Sequence, residues 1–502
     1  MISKKIYSII NISMAVVFIA ILLFSLTSSA LLYDKASIIW MMLIGVFLFC
    51  LYFPIKKSRK VKKFLLKISR YQTTIFWSIF GILIIYQLFL QKVLPITPKY
   101  DSLLMIRGIT DSKILGPYFS LYPNNEFFYF FNQFLRQFST GNVLLWERLV
   151  DIVLSDIAIV LFKILCGWLF HSKSIGNLAG LFFILYVGIQ PLFLVPYTDT
   201  YVLPFLMGAL LCLLATIRCK TLNNSIVFAG LAGILSCVTY LMRPSAITYI
   251  IALAFFLLIG LKEIKAKRKL AKTIISTLSF SFFFLLCLLS FHDFIAHQKQ
   301  ITVQTNQQAS WEYFLLLGSY GNENQRESIH GVWNTTDVAL LLKKGTPSAK
   351  NTDYLNALKK RTEARGLGGT LEFYLMKFSN NVDTGVIGYH RDGLWLLEKT
   401  KTSGPWKWVQ EIYYPEGKYR PRFDFILSVI WIVTVLFCIA TLWRRRKSRK
   451  IAFIALSFFG GLLFLELFES GGTKYLLQYI PFVCMLAAVG ARDFLIKGIR
   501  KL

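Results

Sequence analysis

The run FDFILSVIWIVTVLFCIATLW occupies residues 423–443 and is followed at once by RRRKSRK at 444–450. The first stretch is apolar over about 20 residues, which is the length of helix that crosses the hydrocarbon core of a bilayer. The second stretch is strongly basic, and short loops rich in Lys and Arg beside a membrane span remain on the cytoplasmic side. Together they predict a transmembrane helix whose C-terminal end faces the cytoplasm.

Further apolar runs of bilayer-crossing length occupy most of the chain. They lie near 9–32, 36–55, 72–95, 143–170, 175–194, 200–217, 225–242, 244–260, 272–291, 451–468 and 477–495. Hydrophobic residues make up 55% of the sequence, charged residues 16%, and the mean hydropathy is +0.56, a composition that excludes a soluble enzyme. We therefore predict an all-α polytopic membrane protein with about 12 transmembrane helices.

The excess of basic residues lies in short loops between the apolar runs. The chain has 56 Lys and Arg against 26 Asp and Glu, a formal net charge of +30. The basic loops are 4–5, 56–70, 218–220, 262–272, 444–450 and 492–501. We expect these loops and both termini in the cytoplasm, with the protein in the plasma membrane. Lipid headgroups are then the nearest anionic partner, which disfavours nucleic acid.

One long polar segment, 293–421, has a different charge balance. It holds 16 basic and 13 acidic residues and so lacks the bias that keeps a loop in the cytoplasm. We expect it to be a large extracytoplasmic loop domain. The chain then divides into an N-terminal hairpin with its basic loop at 1–70, a transmembrane core at 71–292 with a first outer loop at 97–122, this loop domain, and C-terminal helices at 422–502.

The segment from Glu126 to Phe138 is aromatic but short and polar, and whether it crosses the membrane decides the helix count. The basic loops and both termini can all be cytoplasmic only if an even number of helices cross. Either this segment is re-entrant, or the loop at 171–174 lies outside. The sequence leaves both arrangements open.

With this topology four separated polar clusters, 97–122, 196–200, 242–245 and 469–475, reach the same outer face. A functional site draws polar groups from several elements around one cavity, whereas a structural protein has no need to collect ionisable groups at one membrane surface. The convergence therefore predicts a site at this face.

Asp101 in the first cluster is the candidate general base. It begins an amphipathic stretch beside a span, and a carboxylate partly shielded from water holds a proton more tightly. An acid at a helix start is also an ordinary N-cap, which is the alternative interpretation. Asp111 has the same chemistry in a more polar stretch and ranks below it. The candidate substrate-binding residues that follow are Tyr118, Tyr122, Asn124 and Asn125.

The other clusters supply charged groups of both signs. Arg243 interrupts two apolar runs, where an unpaired cation is costly, so it faces either a carboxylate or the phosphate of a ligand. Asp199 is either a helix cap or a site residue. Glu469, Lys474 and Tyr475 form either a surface pair or a site for a lipid phosphate.

Two acids, Asp151 and Asp156, lie inside the apolar run at 143–170. With Arg148 and Lys163 nearby, they are expected to be buried ion-pair partners, and a proton relay is the less favoured alternative. The sequence has no GxxxxGK[ST], GxGxxG, HExxH or CxxC motif, so nucleotide-driven pumping, dinucleotide binding and zinc hydrolysis lack support.

Several motifs follow one another in a recognisable order. Asp101 precedes YFSLYPNN at 118–125, YTDT at 197–200 lies between two spans, and a basic residue precedes proline at 243–244. Segments 333–337, 366–377 and 383–385 follow, and then Glu469 with a basic-Tyr pair at 474–475. In this order they resemble the multi-spanning C-type (GT-C) glycosyltransferases, closest to a bacterial cell-envelope branch related to the protein mannosyltransferases. The chain departs from that pattern with Arg before Pro244, where Lys is expected, and Lys before Tyr475, where Arg is expected.

The resemblance implies a GT-C-like fold and a sugar donor carried on a polyprenyl phosphate. It implies that Asp101 is the catalytic base or a ligand of an activating divalent metal, Mg²⁺ or Mn²⁺, and that the sugar is transferred with inversion. Donor phosphate would be bound by Arg243, Lys474 and Tyr475. Asp199, Glu469 and Trp333 complete the substrate-binding set. The acceptor would be a cell-envelope polysaccharide, teichoic acid, lipid or protein.

Two functions of other classes remain as alternatives. A flippase or transporter of a lipid-linked saccharide would account for the many spans but not for the large outer segment. A polymerase or ligase of envelope polysaccharide would also have many spans and one large outer loop, but would use a lipid donor with a sugar diphosphate.

Overall fold

The computed structural model describes residues 2–33, 59–139, 141–261, 267–304, 307–321, 330–331, 333–343, 345–388, 404–414 and 416–499. Within these ranges the regular structure is helical, without strands. The helices are α1 Ile2–Leu26, α2 Arg59–Val93, α3 Tyr100–Thr110, α4 Leu115–Leu121, α5 Glu126–Arg136, α6 Val143–Leu169, α7 Lys173–Phe183, α8 Thr198–Arg218, α9 Leu222–Met242, α10 Thr248–Leu261, α11 Lys267–His297, α12 Trp311–Gly318, α13 Thr335–Leu342, α14 Pro347–Val382, α15 Lys407–Tyr413, α16 Arg420–Arg444, α17 Arg449–Phe468 and α18 Ile480–Ile499.

Ten helical segments in the described part of the chain are long and apolar enough to cross a membrane. Each coincides with one of the twelve runs predicted from the sequence. Of the other two runs, 36–55 lies outside the described residues, and 143–170 forms the continuous helix α6, which carries five charged side chains. The predicted all-α fold with many candidate spans is therefore confirmed in its general form.

Helix α6 connects the two ends of the helix bundle. Near its start, Arg148 donates hydrogen bonds to the carbonyl oxygens of Ile96 and Leu194, which directly precede two of the polar clusters. At its other end, Lys450 Nζ, from a basic loop, donates to the carbonyl oxygen of Leu169 at 2.7 Å. We call these two ends the polar end and the basic end. The loop at 171–174 thus lies at the basic end.

The short aromatic segment is the one that does not cross. Helix α5 has 11 residues, which is about 16 Å at 1.5 Å per residue and too short to span the hydrocarbon core. The chain enters α5 at the polar end, and α6 also begins at the polar end. Helix α5 therefore does not carry the chain to the basic end. Of the two arrangements that the sequence leaves open, the structure has a non-crossing α5 and places 171–174 with the basic loops.

Basic loops that are distant in sequence contact one another at the basic end. Asn11 Nδ2 on α1 donates to the carbonyl oxygen of Arg446 at 2.9 Å. Lys272 on α11 donates to the carbonyl oxygen of Cys219, which follows α8. The described parts of the basic loops at 218–220, 262–272 and 444–450 therefore share one end of the bundle with the start of α1, as the charge pattern predicts.

The segment at 293–421 packs on the polar end through α14. Trp431 on α16 is fully buried, and its Nε1 donates to the carbonyl oxygen of Val382 at 2.8 Å. Within the segment, Arg361 Nη2 on α14 lies 2.7 Å from Asp337 Oδ1 on α13, and this carboxylate is buried. These contacts hold the loop segment directly above the polar clusters.

The positions of the loops lead to a labelling prediction. In a background without the native cysteines, Lys113→Cys should react with a membrane-impermeant maleimide in intact cells, because 113 lies at the polar end. Lys173→Cys and Lys447→Cys should react only after permeabilisation, because both lie at the basic end. All three side chains are exposed. Labelling of Lys173→Cys in intact cells would show that α5 crosses the membrane.

Candidate functional site

Arg243 lies where three chain segments meet at the polar end. Helix α9 ends at Met242, and Arg243 has φ −156° and ψ 101°, the extended conformation that proline imposes on the residue before it. Its guanidinium lies 3.0 Å from Asp199 Oδ1 and 3.6 Å from Glu469 Oε1, and it donates to Thr198 Oγ1 at 3.1 Å. One side chain thus joins the start of α8, the end of α9 and the end of α17.

The structure gives Arg243 two carboxylate partners. Only 8% of the residue is exposed, so a ligand phosphate would have to compete with both carboxylates for it. The sequence allows either a carboxylate or a ligand phosphate as the partner of Arg243, and the structure shows the carboxylates. A buried cation with two acidic partners organises the site and need not touch substrate.

Lys474 is the more accessible cation of the site. Its side chain is 29% exposed, and Nζ lies 3.6 Å from Asp199 Oδ2. The ammonium also lies 4.9 Å from the centre of the Tyr197 ring and 5.7 Å from that of Tyr475, within the range of a cation–π interaction. The side chain is carried by the 3-10 turn Thr473–Tyr479 that precedes α18.

Asp101 is the second residue of α3 and does not cap the helix. The N-cap position is Lys99, which makes no side-chain capping bond. The interpretation of Asp101 as the N-cap is therefore wrong. Asp101 Oδ2 accepts a hydrogen bond of 3.1 Å from Tyr197 Oη. The preceding residue, Tyr100, has φ 51°, a left-handed conformation that is rare for a bulky side chain and recurs at functional sites.

Tyr118 and Asn125 complete the surroundings of Asp101. Asn125 Nδ2 donates to Tyr118 Oη at 2.6 Å and to Tyr197 Oη at 3.0 Å, and Tyr118 is itself hydrogen-bonded to Asp101. Removal from water and the charge of Asp101 raise the pKa of both Tyr118 and Tyr197. Both phenols therefore remain neutral and can donate to the carboxylate.

The remaining predicted residues lie toward the loop segment. Tyr122 is hydrogen-bonded to Tyr313 on α12, with 3.2 Å between the hydroxyl oxygens, and to Trp333. Trp333 is 58% exposed. Asn124 is exposed beside the buried Asn125 and does not join the cluster. Tyr122 thus links the cluster around Asp101 to the loop segment.

The intramembrane ion pairs predicted for α6 are wrong for the described residues. Arg148 donates to carbonyl oxygens, and Lys163 Nζ lies 5.1 Å from the ring of Phe76 and 5.0 Å from that of Trp77. Asp156 lies 3.3 Å from the amide group of Gln87. The spacing along α6 indicates which charged residues are near each other in sequence. In the structure, the basic residues contact carbonyl groups and aromatic rings of neighbouring segments instead of these acids.

Sequence reasoning also missed two residues. Tyr197 was visible only as part of the YTDT motif, yet it contacts both Asp101 and Lys474. Lys377 on α14 is fully buried and donates to the carbonyl oxygens of Gly318 and Glu466, each at 2.7 Å. A single Lys in a polar loop carries no sequence signal for this role.

The expectation of a metal ion remains a prediction from the sequence. In the described part of the chain, no group of three or more His, Cys, Asp and Glu side chains is placed to hold a metal ion. Asp101 has tyrosine hydroxyls as its neighbours, and Asp199 has the two cations.

Removing the Arg243 side chain should destabilise the protein strongly. Arg243→Ala leaves Asp199 and Glu469 without their shared cation, and breaking such a buried pair costs about 3–5 kcal/mol. Thermal unfolding in detergent should show a clearly lower Tm. The matched control is Arg422→Ala, an exposed arginine on α16 near the same end, which should leave Tm nearly unchanged. Equal melting of the two variants would contradict the role given to Arg243.

Lys377 should make stability depend on pH in the alkaline range. Burial lowers its pKa from 10.5 to about 8, although Glu466 and Glu469 oppose the shift. The unfolded chain then binds the proton more tightly than the folded protein, so this group's contribution to stability rises as pH increases from about 8 to 10.5.

The comparison of wild type with Lys377→Met isolates this effect from other titrations. The rise in Tm across that pH range should be smaller in the variant, and Lys359→Met, an exposed lysine on the same helix, should behave as wild type. A Tm that falls with pH more steeply in wild type than in Lys377→Met would contradict the sign.

Comparison with known proteins gives one match. The model of a family described as "Conserved hypothetical integral membrane protein" matches residues 2–494. Neither a curated protein nor a solved structure matches the chain. The description agrees with the ten apolar helices and confirms the predicted membrane association. Because the match covers nearly the whole sequence, the chain belongs to this family of integral membrane proteins.

Proposed function

We propose that the protein is a membrane glycosyltransferase that takes a sugar from a polyprenyl phosphate on the outer face of the plasma membrane and transfers it to a cell-envelope acceptor. The observation that carries the proposal is the position of Tyr197. Its hydroxyl donates to Asp101 at 3.1 Å, and its ring centre lies 4.9 Å from Lys474 Nζ. One aromatic residue thus joins a carboxylate and a cation at the polar end.

A carboxylate and a cation are the two groups that direct glycosyl transfer needs. Asp101 accepts the proton of an acceptor hydroxyl as that oxygen bonds to the anomeric carbon. The bond from this carbon to the phosphate oxygen breaks, and its electron pair leaves with the polyprenyl phosphate. Lys474 stabilises the negative charge that develops on the leaving phosphate. A single displacement of this kind inverts the anomeric carbon.

Arg243 serves this reaction indirectly. Because it pairs with Asp199, and Asp199 in turn lies 3.6 Å from Lys474 Nζ, the arginine positions the accessible cation. In the proposal Lys474 makes the first contact with donor phosphate, beside Tyr475. Glu469 balances the charge of Arg243 from the other side.

The acceptor enters from the loop segment. Trp333 is exposed and hydrogen-bonded to Tyr122, whose ring lies 5.5 Å from that of Tyr118. Such aromatic faces stack on sugar rings. Tyr118 is also hydrogen-bonded to Asp101, so a sugar stacked here would lie close to that carboxylate. An acceptor glycan held here would lie on the Asp101 side of Tyr197, opposite the phosphate.

A donor carried by a lipid suits a site at this depth. The site lies at the ends of α8, α9 and α17, three of the candidate spans. Nucleotide-activated sugars are cytoplasmic, whereas a lipid carrier brings its sugar to the membrane surface within the plane of the bilayer.

Transfer assays with purified protein in liposomes test the proposal. Polyprenyl-phosphate sugars are offered with envelope acceptors, and Asp101→Asn should lower turnover by roughly 100-fold or more, since an essential base contributes about 10²–10⁴-fold. Asp111→Asn is the control, because Asp111 is exposed in the same loop and only accepts a bond from the backbone of Lys113. It should retain normal turnover. Parallel assays with Mg²⁺, Mn²⁺ or a chelator test the expected metal.

Two results would replace the proposal by an alternative. Movement of intact lipid-linked sugar across the vesicle membrane, unchanged in Asp101→Asn, would indicate a flippase. Turnover only with a diphosphate-linked oligosaccharide would indicate a polymerase or ligase.

A further inference from the structure

Helix α6 carries two buried acidic residues that are not part of the site described above. Glu147 and Asp151 are four residues apart and therefore lie on one face of the helix. Both are 0% exposed. A buried ionised carboxylate needs a cation or several hydrogen-bond donors to offset the loss of water.

Basic partners do not fill that need. Among the described residues, neither carboxyl group has a basic side chain within ion-pair distance, and the neighbouring Arg148 donates to two carbonyl oxygens. Glu147 Oε1 is buried without any hydrogen-bond partner. The charged and titratable groups that the pair faces are each other, Tyr201 and Asp199 on α8, and the more distant Arg136 on α5.

The hydroxyl partner of Glu147 indicates where a proton resides. Tyr201 Oη lies 2.9 Å from Glu147 Oε2 and 3.0 Å from the Glu147 carbonyl oxygen. A hydroxyl has one proton to donate, and a carbonyl oxygen can only accept. If Tyr201 donates to the carbonyl, a proton on the Glu147 carboxyl group forms the other bond.

Asp151 has a similar arrangement with a different hydroxyl, and Ser155 Oγ also lies 3.5 Å from its Oδ1. Thr200 Oγ1 lies 2.8 Å from Asp151 Oδ2 and 3.2 Å from the carbonyl oxygen of Tyr197. Again one hydroxyl proton serves two oxygens, of which one is a carbonyl. A proton on Asp151 lets both bonds form in full.

We propose that Glu147 and Asp151 form a proton-binding site inside the helix bundle, in which the carboxyl groups are protonated at neutral pH and donate to Tyr201 and Thr200. The inference does not depend on the proposed glycosyl transfer. Thr200 follows Asp199 in sequence, so this site adjoins the ion-paired cluster at the polar end. The ligand is the proton, and no metal cation is required.

Carbodiimide labelling tests the site directly. Dicyclohexylcarbodiimide enters membranes and reacts with protonated carboxyl groups, and mass spectrometry locates the adduct. Full-length protein in liposomes should be modified at Glu147 or Asp151 near neutral pH, with several-fold less adduct as pH rises. Asp424 is an internal control because it is buried but lies 2.6 Å from Arg420 Nε. It should remain unmodified.

A second measurement does not depend on whether the carbodiimide reaches the buried carboxyl groups. The infrared carbonyl stretch of protonated carboxyl groups should be present in wild type and reduced in Glu147→Gln/Asp151→Asn. This variant should fold, since an amide can donate the same bonds. Absence of both the adduct and the infrared difference at neutral pH would overturn the proposal. Protection of the carboxyl groups by Na⁺, but not by choline at equal ionic strength, would also overturn it by indicating a metal-cation site.

Discussion

The ion pairs of Arg243 with Asp199 and Glu469 are the contacts on which the polar end of this protein depends. They join the consecutive helices α8 and α9 to the end of α17, which lies more than 200 residues further along the chain. A guanidinium at this depth cannot remain without partners, and two carboxylates in one place need a cation between them. Each segment is therefore held in place by the charge of the others, and Asp199 also holds Lys474.

The acidic residues of the protein have two kinds of partner. At the polar end, where water and cations are near, Asp199 and Glu469 take part in ion pairs, and Asp101 accepts hydrogen bonds from tyrosines. Beside this cluster, Glu147 and Asp151 are fully buried and have hydroxyl groups as partners. The cost of burying a charge rises with distance from water, which explains why the two groups have different partners.

The proposed chemistry uses this arrangement. A general base must be close enough to water to exchange its proton, and a cation for a departing phosphate must be accessible. Asp101 and Lys474 lie at the surface of the cluster, whereas Arg243 lies beneath them and keeps Lys474 in position through Asp199. Tyr197 contacts both of these partly exposed groups and so links the proposed base to the proposed cation.

The sequence by itself determined the class of fold, ten candidate spans, several of the basic loops that share one end and the polar segments that meet at the other. Length, apolarity and loop charge are local properties that the bilayer selects directly. Only the tertiary structure decided that α5 does not cross, that Asp101 is no helix cap, and that Arg243 faces two carboxylates. It also decided that Arg148 contacts carbonyl oxygens and Lys163 contacts aromatic rings, rather than the acids of α6. The physical reason is that a polar side chain can pair with any suitable group close to it, including a carbonyl oxygen, a hydroxyl group or an aromatic ring. Which of these is within reach depends on how distant helices pack.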